Sequence, residues 1–267
     1  MLVLSQIRSF IMTDAEIKLE IERVIRSKIT FWHFSTIDST NAYAKIICRQ
    51  RQLNTPVIIW SDQQTAGVGR FKRPFYSSQN GGLYLTVIFP HSRPDPQAIG
   101  LLTTGLAVAT FNAILTVFKI TTDLKWVNDL YLNHRKIAGI LTEIGAQGAL
   151  IVGIGINLYQ QDFPSALKAI AGNLLTSQPS DEQRTSFLIQ LVAEITRLTQ
   201  TYTNHQHLAI YRRHLSFLGQ SIQVQYGNQL FTGIASNIND FGELEMIDDQ
   251  DHQLHTFNAG EITKIFD

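Results

Sequence analysis

The segment QTAGVGRFKR combines glycines with cations in a way that suits the binding of an anion. Gly67 and Gly69 let the chain curl so that backbone N–H groups can face a ligand, and Arg70, Lys72 and Arg73 lie close by. The planar guanidinium of arginine matches a phosphate or a carboxylate. The segment is not a Walker A loop, and Lys72 stands where G-x-G-x-x-G needs its third glycine. An anion-binding loop and a solvated basic loop are the two readings of this segment.

Charged and amide side chains interrupt the apolar stretch KWVNDLYLNHRKIAGILTEI. A strand pair turned at its Asn-His dipeptide would put Tyr131 opposite Lys136 and Asp129 opposite Ala138. These four side chains would share one face, and Asp129 and Lys136 would be diagonal neighbours. Gly139 favours a site, because a glycine weakens a strand unless a ligand or another backbone approaches closely. An ordinary surface ion pair on an exposed face is the alternative.

Helices and strands must position these two segments. Capping boxes predict helices from Thr13 to about Lys28 and from Ser180 to about Thr201. Ser39 or Thr40 can cap a helix to about Arg51, and helical spacing recurs from Pro96 to about Phe118. The predicted strands are ITFWHFSTI, PVIIWSD, LYLTVIFP, the pair TDLKWVNDLYL and RKIAGILTEI, and ALIVGIGINL. After about Gly219, short alternating segments separated by Gly, Asn and Asp predict a small barrel.

The strand VGIGINL has only a superficial likeness to a dinucleotide-binding motif. No phosphate-binding helix follows Gly155, and Leu158 replaces the third glycine. Small residues in this strand are better explained by close packing against a ligand or a neighbouring element. Asn157, at the strand end, is either a ligand contact or a structural amide.

The composition excludes several classes of protein. The chain has 267 residues, with 22 Lys plus Arg against 22 Asp plus Glu, so no overall charge attracts nucleic acid or an anionic membrane. Cys48 is the only cysteine, which excludes an intramolecular disulfide and indicates a reducing compartment. No signal peptide is expected in MLVLSQIRSFIM. No apolar run is expected to reach the length of about 20 residues that is needed to span a bilayer. A cytoplasmic protein without a membrane partner is predicted.

Other catalytic chemistries lack the residues that they require. His205, His207 and His214 have no cluster of Cys, Asp or Glu beside them, so a solvated connector is predicted rather than a metal site. The sequence contains no Gly-x-Ser-x-Gly elbow, and neither His33 nor His134 has a nucleophile at motif spacing. Covalent hydrolysis is therefore not expected.

Five motifs in register resemble the biotin protein ligase family, the biotin–[acetyl-CoA-carboxylase] ligases. The motifs are STN at 39–41, QTAGVGR at 64–70, KWVNDL at 125–130, RKIAGIL at 135–141 and GIGIN at 153–157. The resemblance implies an α+β fold with a central mixed sheet flanked by helices, similar to class II synthetases, over residues 1–217. It also implies a small SH3-like barrel over residues 218–267.

The resemblance implies a two-step enzyme. Biotin and MgATP would form biotinyl-5'-AMP and pyrophosphate, and biotin would then pass to one lysine of the carboxyl carrier domain of acetyl-CoA carboxylase. The cofactors implied are ATP and Mg²⁺. Only about 30 residues precede the ligase-like core, too few for the winged helix of the regulatory members, so the monofunctional type without a DNA partner is expected. Many relatives dimerise through a sheet edge, so a homodimer is a possible state of this chain.

Carried over by position, the resemblance implies three sets of site residues. The expected biotin contacts are Ser39, Thr40, Asn41, Gln64, Gly67, Val68, Gly69, Arg70, Lys136, Gly139, Leu141 and Gly155. The expected nucleotide contacts are Arg70, Arg73, Phe75, Lys125, Asn128 and Asn157, with Phe75 where some members have a tryptophan that covers the ligand. The expected catalytic residues are Arg70, Lys136, Lys125 and Asp129; Asp129 is either a proton acceptor or the partner that positions Lys136. The metal ligands are left undefined.

Three departures from the family pattern bear on the site. Val68 and Lys72 replace an arginine and a glycine of the common G-R-G-R-x-G-R loop, and Val127 replaces the proline of KWPND. The first two bear on retention of the adenylate, and the third on the rigidity of a turn. The alternative functions are a lipoate or octanoate ligase on the same scaffold and a biotin sensor without turnover.

Overall fold

A computed structural model describes residues 12–266 of the chain, so the prediction on a leader in MLVLSQIRSFIM falls almost entirely outside the described residues. The helices are α1 (Asp14–Ile25), α2 (Thr40–Gln50), α3 (Ile99–Phe118), α4 (Asp181–Thr201) and α5 (His207–Arg213). The strands of the first half are β1 (Thr30–Phe34), β2 (Val57–Ser61), β3 (Gly82–Phe89), β4 (Asp123–Lys125), β5 (Asp129–Leu132), β6 (Arg135–Ile144) and β7 (Leu150–Asn157). The last five strands are β8 (Ser221–Tyr226), β9 (Gln229–Ile238), β10 (Leu244–Asp248), β11 (Leu254–Phe257) and β12 (Glu261–Ile265).

A seven-stranded sheet forms the centre of the molecule, with strand order β1-β2-β3-β7-β6-β5-β4. β1 and β2 run parallel, and the other neighbours are antiparallel. One face packs Val87, Val152 and Ile154 into the core with Leu106 of α3 and Leu191 of α4. This arrangement confirms the predicted α+β fold with a mixed sheet and flanking helices. The opposite face packs in part against α2.

Local capping patterns placed the helix starts correctly. The side chains of Thr13 and Ser180 each accept a hydrogen bond from the backbone N–H of the third helical residue, and the side chain of that residue accepts one from the backbone N–H of the cap. Ser39 caps α2. α1 buries Ile17 and Ile21 against the core, whereas Val24 is 39% exposed.

The expectation that no apolar run is long enough to cross a membrane was wrong. Pro96–Phe118 has 23 residues and passes that test by length and composition, and it is the only such helix in the described part of the chain. Most of it is buried between the sheet and α4, where Leu102, Leu106 and Ile114 are fully covered. Its apolar composition is therefore explained by its place in the core.

The predicted strand TDLKWVNDLYL is two strands. The chain turns between β4 and β5, at residues where the Trp126–Val127 peptide bond is cis, and Lys125 then pairs with Asp129. The predicted register is right for Tyr131 and Lys136 but wrong for Asp129, which lies opposite Gly139.

A β-bulge explains that change of register. Ile137 is the extra residue, because the pairing shifts by one between Leu130 and Tyr131. The bulge moves Ala138 to the buried face beside Leu130, where it is fully covered. Gly139 takes the place predicted for Ala138, on the face that carries Lys136.

The last five strands form a separate antiparallel sheet, ordered β11-β10-β9-β8-β12, which agrees with the small barrel expected. Its buried residues, among them Val224, Leu244 and Met246, belong to the same apolar cluster as the core of the main sheet. The two sheets therefore share one continuous core. The division at residues 217 and 218 stays a prediction.

Candidate active site

The predicted site residues share the open face of the main sheet. Strand pairing sets Gly153 beside Leu141 and Gly155 beside Gly139, and Gly139 beside Asp129. Because residues two apart in a strand point to the same side, these positions form one row across β7, β6 and β5. The start of α2 and the loop of residues 62–81 cover this row. The motifs, distant in sequence, are thus brought to one surface.

A polar cluster stands where α2 begins. Oε1 of Gln64 accepts from the N–H of Thr40 at 2.8 Å and from its hydroxyl at 3.0 Å. The hydroxyl of Thr86 lies 2.8 Å from that of Thr40 and donates to Oδ1 of Asn41 at 2.6 Å. Ser39, Thr40 and Asn41 are all buried. The cluster therefore has fixed donors and acceptors, as recognition of a polar ring requires.

Sequence reasoning missed two members of this cluster. Thr86 is fully buried on the site face of β3, and Glu143 accepts from Nδ2 of Asn41 at 3.0 Å. Lys45 pairs with the other oxygen of Glu143 at 3.1 Å. Alternation in LYLTVIFP and in RKIAGILTEI puts both residues on that face, but no motif marks them. The Asn41 amide is held from both ends and has one orientation.

Glycines in β6 and β7 make room for side chains above the sheet. A Cβ added to Gly153 would lie 2.1 Å from Oδ1 of Asn41, and one on Gly155 would lie 2.7 Å from the ring of Phe75. The same ring lies 3.5 Å from a Cβ built on Gly139. The prediction that VGIGINL packs closely against a neighbouring element is thus confirmed, and Gly139 and Gly155 form the floor of the site.

Two lysines and one carboxylate lie at the far end of this row. Nζ of Lys136 is 2.7 Å from Oδ1 of Asp129, as the diagonal arrangement predicted. That oxygen has no aligned hydrogen-bond donor among residues 12–266, so charge rather than hydrogen-bond geometry holds the pair. Burial lowers the pKa of Lys125, and the nearby Asp129 opposes the shift. Nζ of Lys125 also lies 5.2 Å from the ring centre of Tyr131.

Arg70 reaches the turn between β4 and β5 from the loop. Its Nη1 donates to Oδ1 of Asn128 at 3.1 Å and its Nη2 to the carbonyl of Gly260 at 3.0 Å. Burial lowers the pKa of the Arg70 guanidinium, and the charge of Asp129 opposes this. Nδ2 of Asn128 in turn donates to the carbonyl of Ile140 at 2.8 Å. Arg70, Lys125 and Lys136 therefore all lie within the electrostatic reach of Asp129.

The tip of the loop is a narrow turn of the backbone. The N–H of Gly69 donates to the carbonyl of Arg73 at 2.8 Å, and that of Phe75 to Gly67 at 2.8 Å. Lys72 has φ 59, in the left-handed region that favours glycine. The third glycine of the family pattern would relieve this conformation. Val68 is 45% exposed at the tip.

Two predicted contact residues are already engaged by other parts of the protein. Arg73 forms an ion pair with Glu261 at the surface. Oδ1 of Asn157 accepts from Gln160 at 3.3 Å, and Gln160 also donates to the hydroxyl of Tyr84 at 2.9 Å. A nucleotide role for either residue stays a prediction. The hydrogen bond from Gln160 supports the alternative that Asn157 is a structural amide.

A cleft of about 730 Å³ opens beside Arg70, between the main sheet and the small sheet. It is lined by Arg70, Pro96, Gln97, Ile99, Gly100, Thr103, Val127, Ile140, Leu141, Thr142, Phe241, Glu243, Asn258 and Ala259. Volumes of this size hold ordinary small-molecule ligands. Solvent or a partner therefore has access to Arg70.

The donor set near the cations does not form a metal cage. Within residues 12–266, no three His, Cys, Asp or Glu side chains group together. The two acids that influence Arg70 are Asp129 and Glu261, and each already faces a cation. Mg²⁺ commonly keeps its waters and binds through one or two carboxylates and substrate phosphates. The residues fit a Mg²⁺ ion that arrives with a nucleotide, with Asp129 as the nearest carboxylate.

The arrangement suits the joining of two anions. Fixed cations in a partly buried site offset the repulsion between a carboxylate and a phosphate, and most strongly where charge develops in the transition state. A neutral polar cluster lies at one end of the glycine floor and the cations lie at the other. The site is therefore built for a ligand with a polar head and an acid end.

Comparison with known proteins agrees with this geometry. Residues 33–158 match the model of the biotin/lipoate A/B protein ligase family. The bifunctional ligase/repressor BirA of Bacillus spizizenii is 30% identical over 238 residues, covering 84% of this chain and 72% of the relative. The biotin–[acetyl-CoA-carboxylase] ligase of Mycobacterium tuberculosis is 30% identical over 194 residues, covering 70% of this chain and 72% of the relative.

Solved structures show the same fold. A biotin protein ligase from Aquifex aeolicus, solved in complex with biotin and ATP, superposes with a TM-score of 0.75 at 22% identity, covering 88% of this chain and 97% of the other. One from Leishmania major, in complex with biotinyl-5-AMP, has a TM-score of 0.59 at 20% identity, covering 86% and 98%. The fold of this chain is thus similar to that of proteins crystallised with both reactants and with the adenylate.

Proposed function

Because this chain belongs to the biotin protein ligase family, we propose that it is an ATP-dependent biotin ligase acting on a carrier protein. It activates biotin as biotinyl-5'-AMP, releases pyrophosphate, and transfers biotin to a lysine of the carboxyl carrier domain of acetyl-CoA carboxylase. The observation that carries the proposal is the pairing of a fixed polar cluster with three clustered cations on one face of the sheet.

The polar cluster recognises the head of biotin. A ureido ring needs both donors and acceptors, and Ser39, Thr40, Asn41 and Gln64 supply both. The Gln64 amide is oriented by its two hydrogen bonds from Thr40, which leaves its Nε2 group facing Gly67.

The cations carry the first step. A carboxylate oxygen of biotin attacks the α-phosphorus of ATP, the bond to the β-phosphate breaks, and pyrophosphate leaves. Lys136 and Arg70 are assigned to the charge that builds on the phosphorus, and Lys125 and Asn128 to the nucleotide phosphates. Mg²⁺ bound to ATP would supply further charge neutralisation, with Asp129 as the nearest carboxylate.

The second step needs orientation more than activation. The amine of the carrier lysine attacks the acyl carbon, AMP leaves, and the amine loses one proton. Asp129 is placed to accept that proton or to hold Lys136, and its 2.7 Å contact with Lys136 supports the positioning role. The positioning role predicts that both steps slow when Asp129 is changed, and the proton-acceptor role predicts that only transfer slows.

The proposal includes a setting and a division of the chain. We place the enzyme in the cytoplasm with MgATP, biotin and the carrier protein as its partners, and without DNA or a membrane. Residues 1–217 are assigned to catalysis and residues 218–267 to a barrel that supports the site. A homodimer through a sheet edge stays a prediction.

Pyrophosphate release from MgATP tests the proposal directly. The full chain is supplied separately with biotin, lipoate or octanoate, and a biotin carrier domain is then added to the productive mixture. Release with biotin and labelling of the carrier lysine are expected. The variant Lys136→Met should abolish the release, while the exposed control Lys28→Met should leave it unchanged.

Each other outcome contradicts the proposal in a distinct way. Release with lipoate or octanoate but not biotin would assign the chain to a sister activity on the same scaffold. Tight binding of biotin without release would indicate a sensor. Release with biotin but no transfer to the carrier would overturn the second step alone.

A further inference from the structure

The loop of residues 62–81 carries much of the proposed site, including Gln64, Arg70 and Phe75. It leaves the main sheet at the end of β2 and returns at the start of β3. At its base, the N–H of Asn80 donates to the carbonyl of Asp62 at 3.2 Å. At 3.2 Å this bond is long, and farther along the loop the N–H of Gln64 donates to the hydroxyl of Ser77 at 2.8 Å. The geometry of the base also depends on the side chains that hold the two ends.

Arg184, near the start of α4, holds both ends of this loop. Its Nη2 donates to Oδ1 of Asp62 at 3.1 Å, and its Nη1 donates to the carbonyl of Asn80 at 2.8 Å. The side chain of Gln178 adds a second donor to the same carbonyl at 2.9 Å. The two arms of one planar guanidinium thus bridge the first and the penultimate residue of the loop.

The position of Arg184 is electrostatically unfavourable without this partner. It is the fourth residue of α4, whose N-terminal end carries partial positive charge, and its residue surface is only 5% exposed. A buried cation near that end of a helix requires a compensating anion and hydrogen-bond acceptors. Asp62 and the Asn80 carbonyl provide them. The packing of α4 alone does not require an arginine here.

Asp62 is itself fixed from its other side. Its Oδ2 lies 3.2 Å from Nε2 of His33, and Nδ1 of His33 lies 3.0 Å from Oδ1 of Asp14. The His33 ring stacks on Trp60 with centroids 4.0 Å apart. The Asp62 carboxylate is therefore held in one orientation, so its ion pair with Arg184 fixes the base of the loop relative to β1 and β2.

We propose that Arg184 is a positioning residue for the reaction: it clamps Asp62 to Asn80 and so sets where the loop presents Gln64 and Arg70. A loop with a loose base would let Arg70 leave Asn128 more often, and the adenylate would escape before the carrier lysine attacks. Arg184 touches neither substrate. The inference rests on the proposed function, because its kinetic readout is the partition of the adenylate.

Three variants and one matched control test this role in the full chain. Arg184→Lys keeps the charge but cannot bridge both acceptors, Arg184→Met removes the charge, and Asp62→Asn weakens the clamp from the other side. Arg197→Met is the control, because Arg197 lies on the same helix in an exposed ion pair with Glu194. Thermal unfolding of each variant accompanies the other measurements.

The first measurement is amide hydrogen exchange of residues 62–81 and, as an internal reference, of β7. Exchange in the loop should accelerate about tenfold in Arg184→Lys and Asp62→Asn while exchange in β7 stays near that of the parent. The second is the ratio of pyrophosphate released to biotin attached to the carrier. That ratio should rise above one, with KM for biotin raised about tenfold and kcat within about twofold.

Two results would overturn the clamp. If loop exchange and the coupling ratio stay at parent values in both Arg184→Lys and Asp62→Asn, Arg184 does not position the loop. If exchange in the loop and in β7 accelerates equally, Arg184 only stabilises the fold. An absence of pyrophosphate release in the parent protein would refute the proposed function instead, and the exchange data would still judge the clamp.

Discussion

Nζ of Lys136 lies 2.7 Å from Oδ1 of Asp129, and a bulge at Ile137 places Gly139 opposite that aspartate. A regular register would have placed Ala138, with its methyl group, in the position that Gly139 occupies. The bulge thus leaves a residue without a side chain next to both the lysine and the carboxylate.

Asp129→Asn separates the two roles of this carboxylate. If Asp129 positions Lys136, the variant should slow adenylate formation and transfer alike, by about 10- to 100-fold in kcat, because both steps use the lysine. If it accepts the proton, only transfer should slow. Single-turnover pyrophosphate release and transfer from preformed adenylate measure the two steps separately.

Gly155→Ala should impair biotin binding through Phe75. The added methyl would lie 2.7 Å from the Phe75 ring, so the ring must move, and we expect KM for biotin to rise about tenfold. In a Phe75→Ala background the same change should cost much less, because the clash is gone. Equal effects in the two backgrounds would contradict the contact.

Lys72→Gly should be more stable than Lys72→Ala. Both variants remove the same charge, and the residue sits at φ 59, which disfavours any side chain by about 1 kcal/mol. The free energy of unfolding in urea should therefore differ by about 1 kcal/mol in favour of glycine. A difference near zero, or in favour of alanine, would show that the backbone of the loop tip relaxes.

The burial of His207 predicts that the free energy of unfolding falls in acid. Burial lowers the pKa of His207 to about 4, and its Nδ1 has no hydrogen-bond partner among residues 12–266. The unfolded chain binds a proton near the ordinary value of about 6.5, so between these values it holds more protons than the folded chain. The free energy of unfolding should fall as the pH drops through this window, by at most about 3 kcal/mol.

Urea unfolding at several pH values checks this prediction. His207→Leu should flatten the acid slope, and Thr104 keeps its hydrogen bond to the carbonyl of Leu101 at 2.9 Å. His134→Asn, an exposed turn position where asparagine tolerates the backbone, should keep the slope of the parent. An unchanged slope in His207→Leu would assign the acid sensitivity to other groups.

Local patterns in the sequence sufficed for the starts of the capped helices, whereas the first helix ends at Ile25 and not near Lys28. A capping box is complete within four residues, so Thr13 and Ser180 mark the starts of α1 and α4 independently of the rest of the chain. Alternation likewise placed Tyr131 opposite Lys136. The resemblance to a family supplied the residues of the site, and the described face brings most of them together.

Features that depend on two distant segments were not visible in the sequence. The bulge at Ile137 is a property of β5 and β6 paired together, and no residue type marks it. Arg184 lies 122 residues from Asp62, and its burial follows only from the packing of α4 on the loop base. Thr86 and Glu143 were missed because a single polar residue in a strand gains meaning only from the neighbour that it meets.

Trp126 and Arg70 share an unusual kind of support: each donates to a main-chain carbonyl of the small sheet, Gly242 at 3.1 Å and Gly260 at 3.0 Å. Both carbonyls belong to glycines with positive φ, 77 for Gly242 and 128 for Gly260, so each turn favours a residue without a side chain. The catalytic half is therefore anchored by the main-chain geometry of two glycine turns. One inserted residue in either turn would shift the carbonyl itself, and the catalytic half would lose its anchor.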